Sequence, residues 1–264
     1  MDIDEKENLV LKATGWNNFY VPVEPDSKFV VTGRESQVLT VKLPPGDTVK
    51  SEPSTMMYMT DGMETVATCE GCCKRICAGE DCCVANFNNT STTKEAFVAL
   101  TPIFPTAKVV PIDMSSPEVN GTIIAQQGAF MASYGDVEVD VSLDCNFKTC
   151  CCGGMGLVRQ KLTGTGTAFI SGTGTIVQKV LEVGEVLLCD DNNIMAFSES
   201  VKLDIQRTGG VMGMIGGGEG IVNTHLTGPG LVIVQSVNAI KFRQTMARQY
   251  PKSDAGQMFD AIAG

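Results

Sequence analysis

The chain carries one phrase twice: residues 153–166 read GGMGLVRQKLTGTG, and residues 217–230 read GGEGIVNTHLTGPG. At an offset of 64, Gly153, Gly154, Gly156, Val158, Leu162, Thr163, Gly164 and Gly166 fall on Gly217, Gly218, Gly220, Val222, Leu226, Thr227, Gly228 and Gly230. Eight identities in fourteen positions, five of them glycines, mark self-similarity at a fixed period. Such a period means that the fold is built from a recurring unit.

The residues between and around these phrases are patterned as strands. In 38–43, Leu39, Val41 and Leu43 alternate with Thr40 and Lys42. In 136–143, Val137, Val139, Val141 and Leu143 alternate with Asp136, Glu138, Asp140 and Ser142. Period-two alternation puts one set of side chains on a buried face and the other in water. Runs at 175–181, 201–205 and 231–236 have similar character, and Gly, Asn, Asp and Pro punctuate them at short intervals. That is the pattern of an all-β sandwich or barrel. Only the tail reads as helix, with Ser236 as a cap and Val237, Ile240 and Met246 ahead of Pro251.

A second recurrence runs through PPGDTVKSEPSTMMYM (44–59), EVNGTIIAQQGAFMAS (118–133) and EVGEVLLCDDNNIMAF (182–197). In each, a glycine (Gly46, Gly121, Gly184) precedes an apolar strand, and the spacings of 75 and 63 predict three copies of one unit. A degraded third copy of the opening phrase is then expected in the first unit. Arg75–Glu80 can be laid on Gln160–Thr165 and on Thr224–Pro229, with Gly79 on Gly164.

The net charge of −10 opposes nucleic acid as a partner, because phosphate binding draws on Lys and Arg. No apolar run approaches the ~18–20 residues that span a bilayer. The first ten residues, MDIDEKENLV, are acidic rather than basic, which favours a cytoplasmic protein. Little in the chain points to catalysis. The glycine phrases lead into strand pattern rather than a helix and lack a Gly-Lys-Ser/Thr element, so they read as turns rather than phosphate cradles. His225 is the one histidine and has no nucleophile elbow beside it. Asp190-Asp191 sits in a DDNN turn, where short polar side chains bond the backbone. The expectation is a protein that is not an enzyme.

The eleven cysteines are the feature without a ready structural account. Cys69, Cys72, Cys73, Cys77, Cys82 and Cys83 form one cluster; Cys145, Cys150, Cys151 and Cys152 form another; Cys189 stands alone. In a cytoplasmic protein these read as thiols rather than disulfides. The Cys69-x2-Cys72 and Cys73-x3-Cys77 spacings admit thiolate ligands to zinc, and the ten clustered cysteines are the candidate metal residues. Exposed cysteines could instead be acylated and hold the protein at a membrane periphery. Free or redox-active thiols are the third possibility, and the sequence leaves all three open. No cofactor other than zinc is indicated.

The stretches LTGPGLVIVQS (226–236), GGMGLVRQKLTGTGTAFIS (153–171), VLEVGEVLLCDDNNIMAF (180–197) and PPGDTVKSEPSTMMYM (44–59) resemble the mitochondrial-biogenesis family named for altered inheritance of mitochondria, over about residues 35–240. That family is similar in fold to the tryptophan RNA-binding attenuation protein (TRAP). The resemblance implies three TRAP-like β-sandwich units around a pseudo-threefold axis and no assigned catalytic residues. It also implies mitochondrial residence as the alternative to the cytoplasm. The expected organisation is an N-terminal segment (1–34), unit 1 with its cysteine-rich insert (35–110), unit 2 (111–174), unit 3 (175–236), and a C-terminal helix and tail (237–264). The function expected is a non-catalytic scaffold that self-associates or docks protein partners; a cysteine-based zinc or redox module, or an acylated membrane-associated protein, is the alternative.

Overall fold

A computed structural model describes residues 15–18, 27–69, 83–104, 106–143, 158–207, 222–237 and 242. The fold is all-β. A short strand β1 (Asn17–Asn18) and β2 (Phe29–Thr32) precede three successive sets of six. The first set is β3 (Val38–Leu43), β4 (Thr48–Ser51), β5 (Met56–Met59), β6 (Met63–Thr68), β7 (Val84–Asn89) and β8 (Ala96–Leu100). The second is β9 (Ala107–Asp113), β10 (Thr122–Gln126), β11 (Phe130–Tyr134), β12 (Val137–Leu143), β13 (Val158–Gly164) and β14 (Thr167–Thr173). The third is β15 (Ile176–Leu181), β16 (Val186–Asp190), β17 (Ile194–Ser198), β18 (Lys202–Arg207), β19 (Val222–Thr227) and β20 (Gly230–Gln235), with a 3-10 turn, η1 (Asp191–Asn193), before β17.

Within each set the pairing is the same and is antiparallel throughout. The first strand of a set pairs the sixth, the third pairs the sixth, the second pairs the fifth, and the fourth pairs the fifth. Each set is thus two three-stranded half-sheets. Half-sheets from neighbouring sets then join edge to edge. One six-stranded sheet runs β6-β7-β4-β11-β14-β9, and a seven-stranded sheet runs β1-β15-β20-β17-β10-β13-β12. Two half-sheets are left at the ends, β16-β19-β18 and β2-β3-β8-β5.

Alternation delivers the core as the sequence predicts. In β3, Leu39, Val41 and Leu43 are fully buried and pack with Val98, Leu100 and Phe169. The clusters cross from set to set: Met131, Ala132 and Phe169 of the second set lie in the first set's core, and Met195, Ala196 and Ile233 of the third lie in the second's. Phe29 meets Phe169 edge to face at 4.9 Å. Burial of such side chains is worth about 1.5–3 kcal/mol each. A β-bulge falls at the same place in every set, skipping Met57, Met131 and Met195.

Strand pairing also corrects two alignments. Leu162 faces Ile123, Leu226 faces Leu187, and Phe87 faces Val49, so the third copy of LTG is Phe87-Asn88-Asn89 rather than Arg75–Glu80. Arg75–Glu80 lies outside the described residues. Asn89 has replaced the glycine of the other copies, and its amide nitrogen donates to the carbonyls of Leu43, Pro44 and Lys94. The same register equates Gly46 and Gly184 with Asn120 rather than Gly121. All three have positive φ (+81°, +78° and +50°), which asparagine tolerates better than most residues. The helix expected after Ser236 falls outside the described residues apart from Val237 and Phe242. Ser236 itself accepts a hydrogen bond from the Thr175 backbone at 2.8 Å.

Candidate interaction edges

The two edge-to-edge junctions share one register. In β4–β11, Ser51 faces Ala132, Lys50 faces Ser133 and Val49 faces Tyr134. In β10–β17, Ala125 faces Ala196, Ile124 faces Phe197 and Ile123 faces Ser198. These are equivalent positions in successive sets. Around the first junction the Tyr134 hydroxyl donates to the Asp47 carboxylate, and the Lys28 ammonium lies 5.0 Å from the ring centre. Burial, then the Asp47 hydrogen bond, pushes the Tyr134 hydroxyl pKa up. Around the second, Arg159 pairs with Asp191 and its guanidinium lies 5.4 Å from the Phe197 ring centre.

A third junction of this kind would join β16 to β5; among the described residues both are edge strands. The difference shows in exposure. Met131 and Met195 are 2% and 0% exposed, whereas the equivalent Met57 is 60% exposed. Ile124 is 6% exposed and its counterpart Leu188 is 56%. All four residues of β5 are exposed, and Val186 accompanies Leu188 on β16. Neither strand holds a lysine or proline, and the one charge on β16, Asp190, lies at its end and caps η1. Burial, and next the neighbouring Asp190 charge, raise the Cys189 thiol on β16 to about 11, so it stays protonated at neutral pH. The MMYM run, apolar without alternation, was the sequence signal for one of these edges; nothing in the sequence says which strand lacks a neighbour.

The cysteine expectations fare differently. Cys69 and Cys83 are joined by a disulfide, which corrects the expectation of thiols for this pair. The reason is register: Thr68 faces Val84, so Cys69 and Cys83 are the next cross-strand pair of the β6–β7 hairpin. Bonded to each other, they are not thiolate ligands. Cys72, Cys73, Cys77, Cys82, Cys145, Cys150, Cys151 and Cys152 lie outside the described residues. Among the described residues no His, Cys, Asp or Glu group could hold a metal ion. The two clusters fall in equivalent connections, β6–β7 and β12–β13. Cys69→Ser with Cys83→Ser should lower stability in denaturant unfolding by about 2–3 kcal/mol, the loop-closure entropy of a link spanning 14 residues. An unchanged midpoint would show that the link constrains nothing.

His225 lies mid-strand in β19, facing Leu188 and Asp204. Asp190 caps η1 by accepting from the Asn192 backbone, and Asp191 is taken by Arg159. No helix among the described residues is long and apolar enough to cross a membrane.

An all-β fold in which half-sheets of successive strand sets join edge to edge defines the class of protein. The chain belongs to the mitochondrial biogenesis AIM24 family, whose model matches residues 29–237, so the resemblance read from the sequence stands. It is 30% identical over 148 residues to an uncharacterised protein of Streptococcus pyogenes serotype M6. That match covers 52% of this chain, and the chain spans 59% of the relative's length. The crystal structure of a Streptococcus pyogenes protein superposes with a TM-score of 0.64 at 22% identity, covering 84% of this chain and 99% of that one, which shows a shared fold.

Proposed function

We propose that the chain is a non-catalytic scaffold of the mitochondrial-biogenesis type, acting through protein contacts made by its open strand edges. One observation carries this reading: the bulge methionine is buried where a neighbouring set pairs with its strand (Met131, Met195) and exposed on β5 (Met57), and apolar Val186 and Leu188 are exposed on β16. Unpaired edge groups flanked by apolar side chains invite another chain. The acidic net charge supports proteins rather than nucleic acids as partners. Residence, cytoplasmic or mitochondrial, is to be read by fractionation.

The test pairs genetics with physical measurement. In cells deleted for the chain, the wild type should restore growth and migrate in native gels above its own mass. The variant carrying Met57→Lys and Tyr58→Lys should do neither while keeping its thermal midpoint, since both positions are exposed here and their counterparts in the paired junctions are buried. Full rescue by that variant would overturn the reading.

A further inference from the structure

The two end half-sheets are complementary halves of a sheet the molecule already builds twice. Read from the first strand of a set, one sheet runs β9-β14-β11 and then β4-β7-β6; the other runs β15-β20-β17 and then β10-β13-β12. Placing β3-β8-β5 beside β16-β19-β18 continues the same order, with each strand in its equivalent position. We propose that the partner of the open edges is a second copy of this chain, whose β16 pairs antiparallel with β5 to complete a third sheet. This rests on the open-edge reading above and names its partner.

The register follows from the two internal junctions. Ser51 and Ala125 correspond to Cys189, and Ala132 and Ala196 correspond to Tyr58. Cys189 of one copy therefore faces Tyr58 of the next, Leu188 faces Met59, and Leu187 faces Thr60. The Glu52 N–H donates to the Met131 carbonyl at 2.8 Å, so Ser51 and Ala132 are a non-hydrogen-bonded pair. Such pairs bring Cα atoms to about 4.5 Å, within reach of a disulfide. In the completed junction Leu188 and Met59 take the places of Ile124 and Phe197, 6% and 3% exposed, at one internal junction and of Lys50, which is exposed, and Ser133, 1% exposed, at the other. The contact joins two different edges, so it is head-to-tail: successive copies close into a ring or run on as a filament.

The mass of the purified full-length chain, measured by light scattering across concentrations, tests this directly. Wild type should form multiples of the chain mass. Leu188→Pro, which removes an N–H that the junction would use, and Met59→Asp should each be monomeric. Mixed together they should give a dimer and nothing larger, because the first keeps an intact β5 and the second an intact β16. Tyr58→Cys adds a readout that needs no charge: oxidation should link copies into a ladder on a non-reducing gel. Adding Cys189→Ser should abolish the ladder, and Met57→Cys, at the bulge, should not produce it. A wild type that is monomeric at every concentration, edge variants that keep the wild-type mass, or a mixture that stays monomeric would each overturn the proposal. A Tyr58→Cys ladder that survives Cys189→Ser would overturn the register. These outcomes are separate from the scaffold reading, since a monomer whose edge variant still fails to rescue growth docks some other protein at the same strands.

Discussion

Gly164→Ala is expected to lower the thermal midpoint by roughly 10 °C, from backbone strain and overpacking that together cost about 3–5 kcal/mol. Gly164 ends β13 at φ +142°, a conformation that side chains rarely adopt. A Cβ there would overlap the Asp136 carbonyl oxygen and crowd Val137 Cα. That carbonyl has little freedom to retreat, because it accepts from the Thr165 and Gly166 N–H groups at 2.9 and 3.1 Å. The Gly164 N–H in turn donates to Gly121 at 3.0 Å, tying this corner to the start of β10. Gly184→Asn is the control. Its φ is +78° with open space around it, and the chain itself places Asn120 at the equivalent position. It should stay within about 0.5 kcal/mol of wild type. If calorimetry shows the two substitutions costing the same, close approach is not what demands glycine at 164.

This contrast also marks what the sequence could disclose. Alternation at Leu39, Val41 and Leu43, and at Val137 in β12, announces strands and their buried faces because period two is a local property. The repeat is legible for the same reason, at its two best copies. Its first copy is not, because matching by glycine favours Gly79, while the fold keeps the strand and changes the turn residue to Asn89. The one-residue slip between Gly121 and Asn120 has the same origin: the backbone selects a positive φ, and more than one residue type supplies it. The Cys69–Cys83 link escapes a reading based on compartment but follows from hairpin register once Thr68 and Val84 are known to face each other. The open edges are further from reach. Met57 and Met195 occupy equivalent strands of similar composition, and only the tertiary order of sheets decides that one is exposed and the other buried.

Asp191→Asn should cost about 3–5 kcal/mol in denaturant unfolding, the penalty for stranding a buried charge. Arg159 leaves β13 with its side chain 3% exposed, and Asp191 meets it from η1 with 14% exposed. The Thr224 hydroxyl also donates to Asp191, at 3.4 Å, and among the described residues the Arg159 Nε has no hydrogen-bond partner of its own. The pair bridges the second set to the third beside the Ile124–Phe197 contact, so its loss acts on the junction as well as on one residue. An ion pair this deeply buried gains little over apolar groups of the same size, because desolvation offsets most of the Coulombic attraction. Arg159→Met with Asp191→Leu should therefore recover most of what Asp191→Leu alone loses, giving a coupling of about 1 kcal/mol or more, as residues in direct contact show. Additive losses in that cycle would mean that Arg159 is held by Phe197 and its packing, with the carboxylate incidental to the junction.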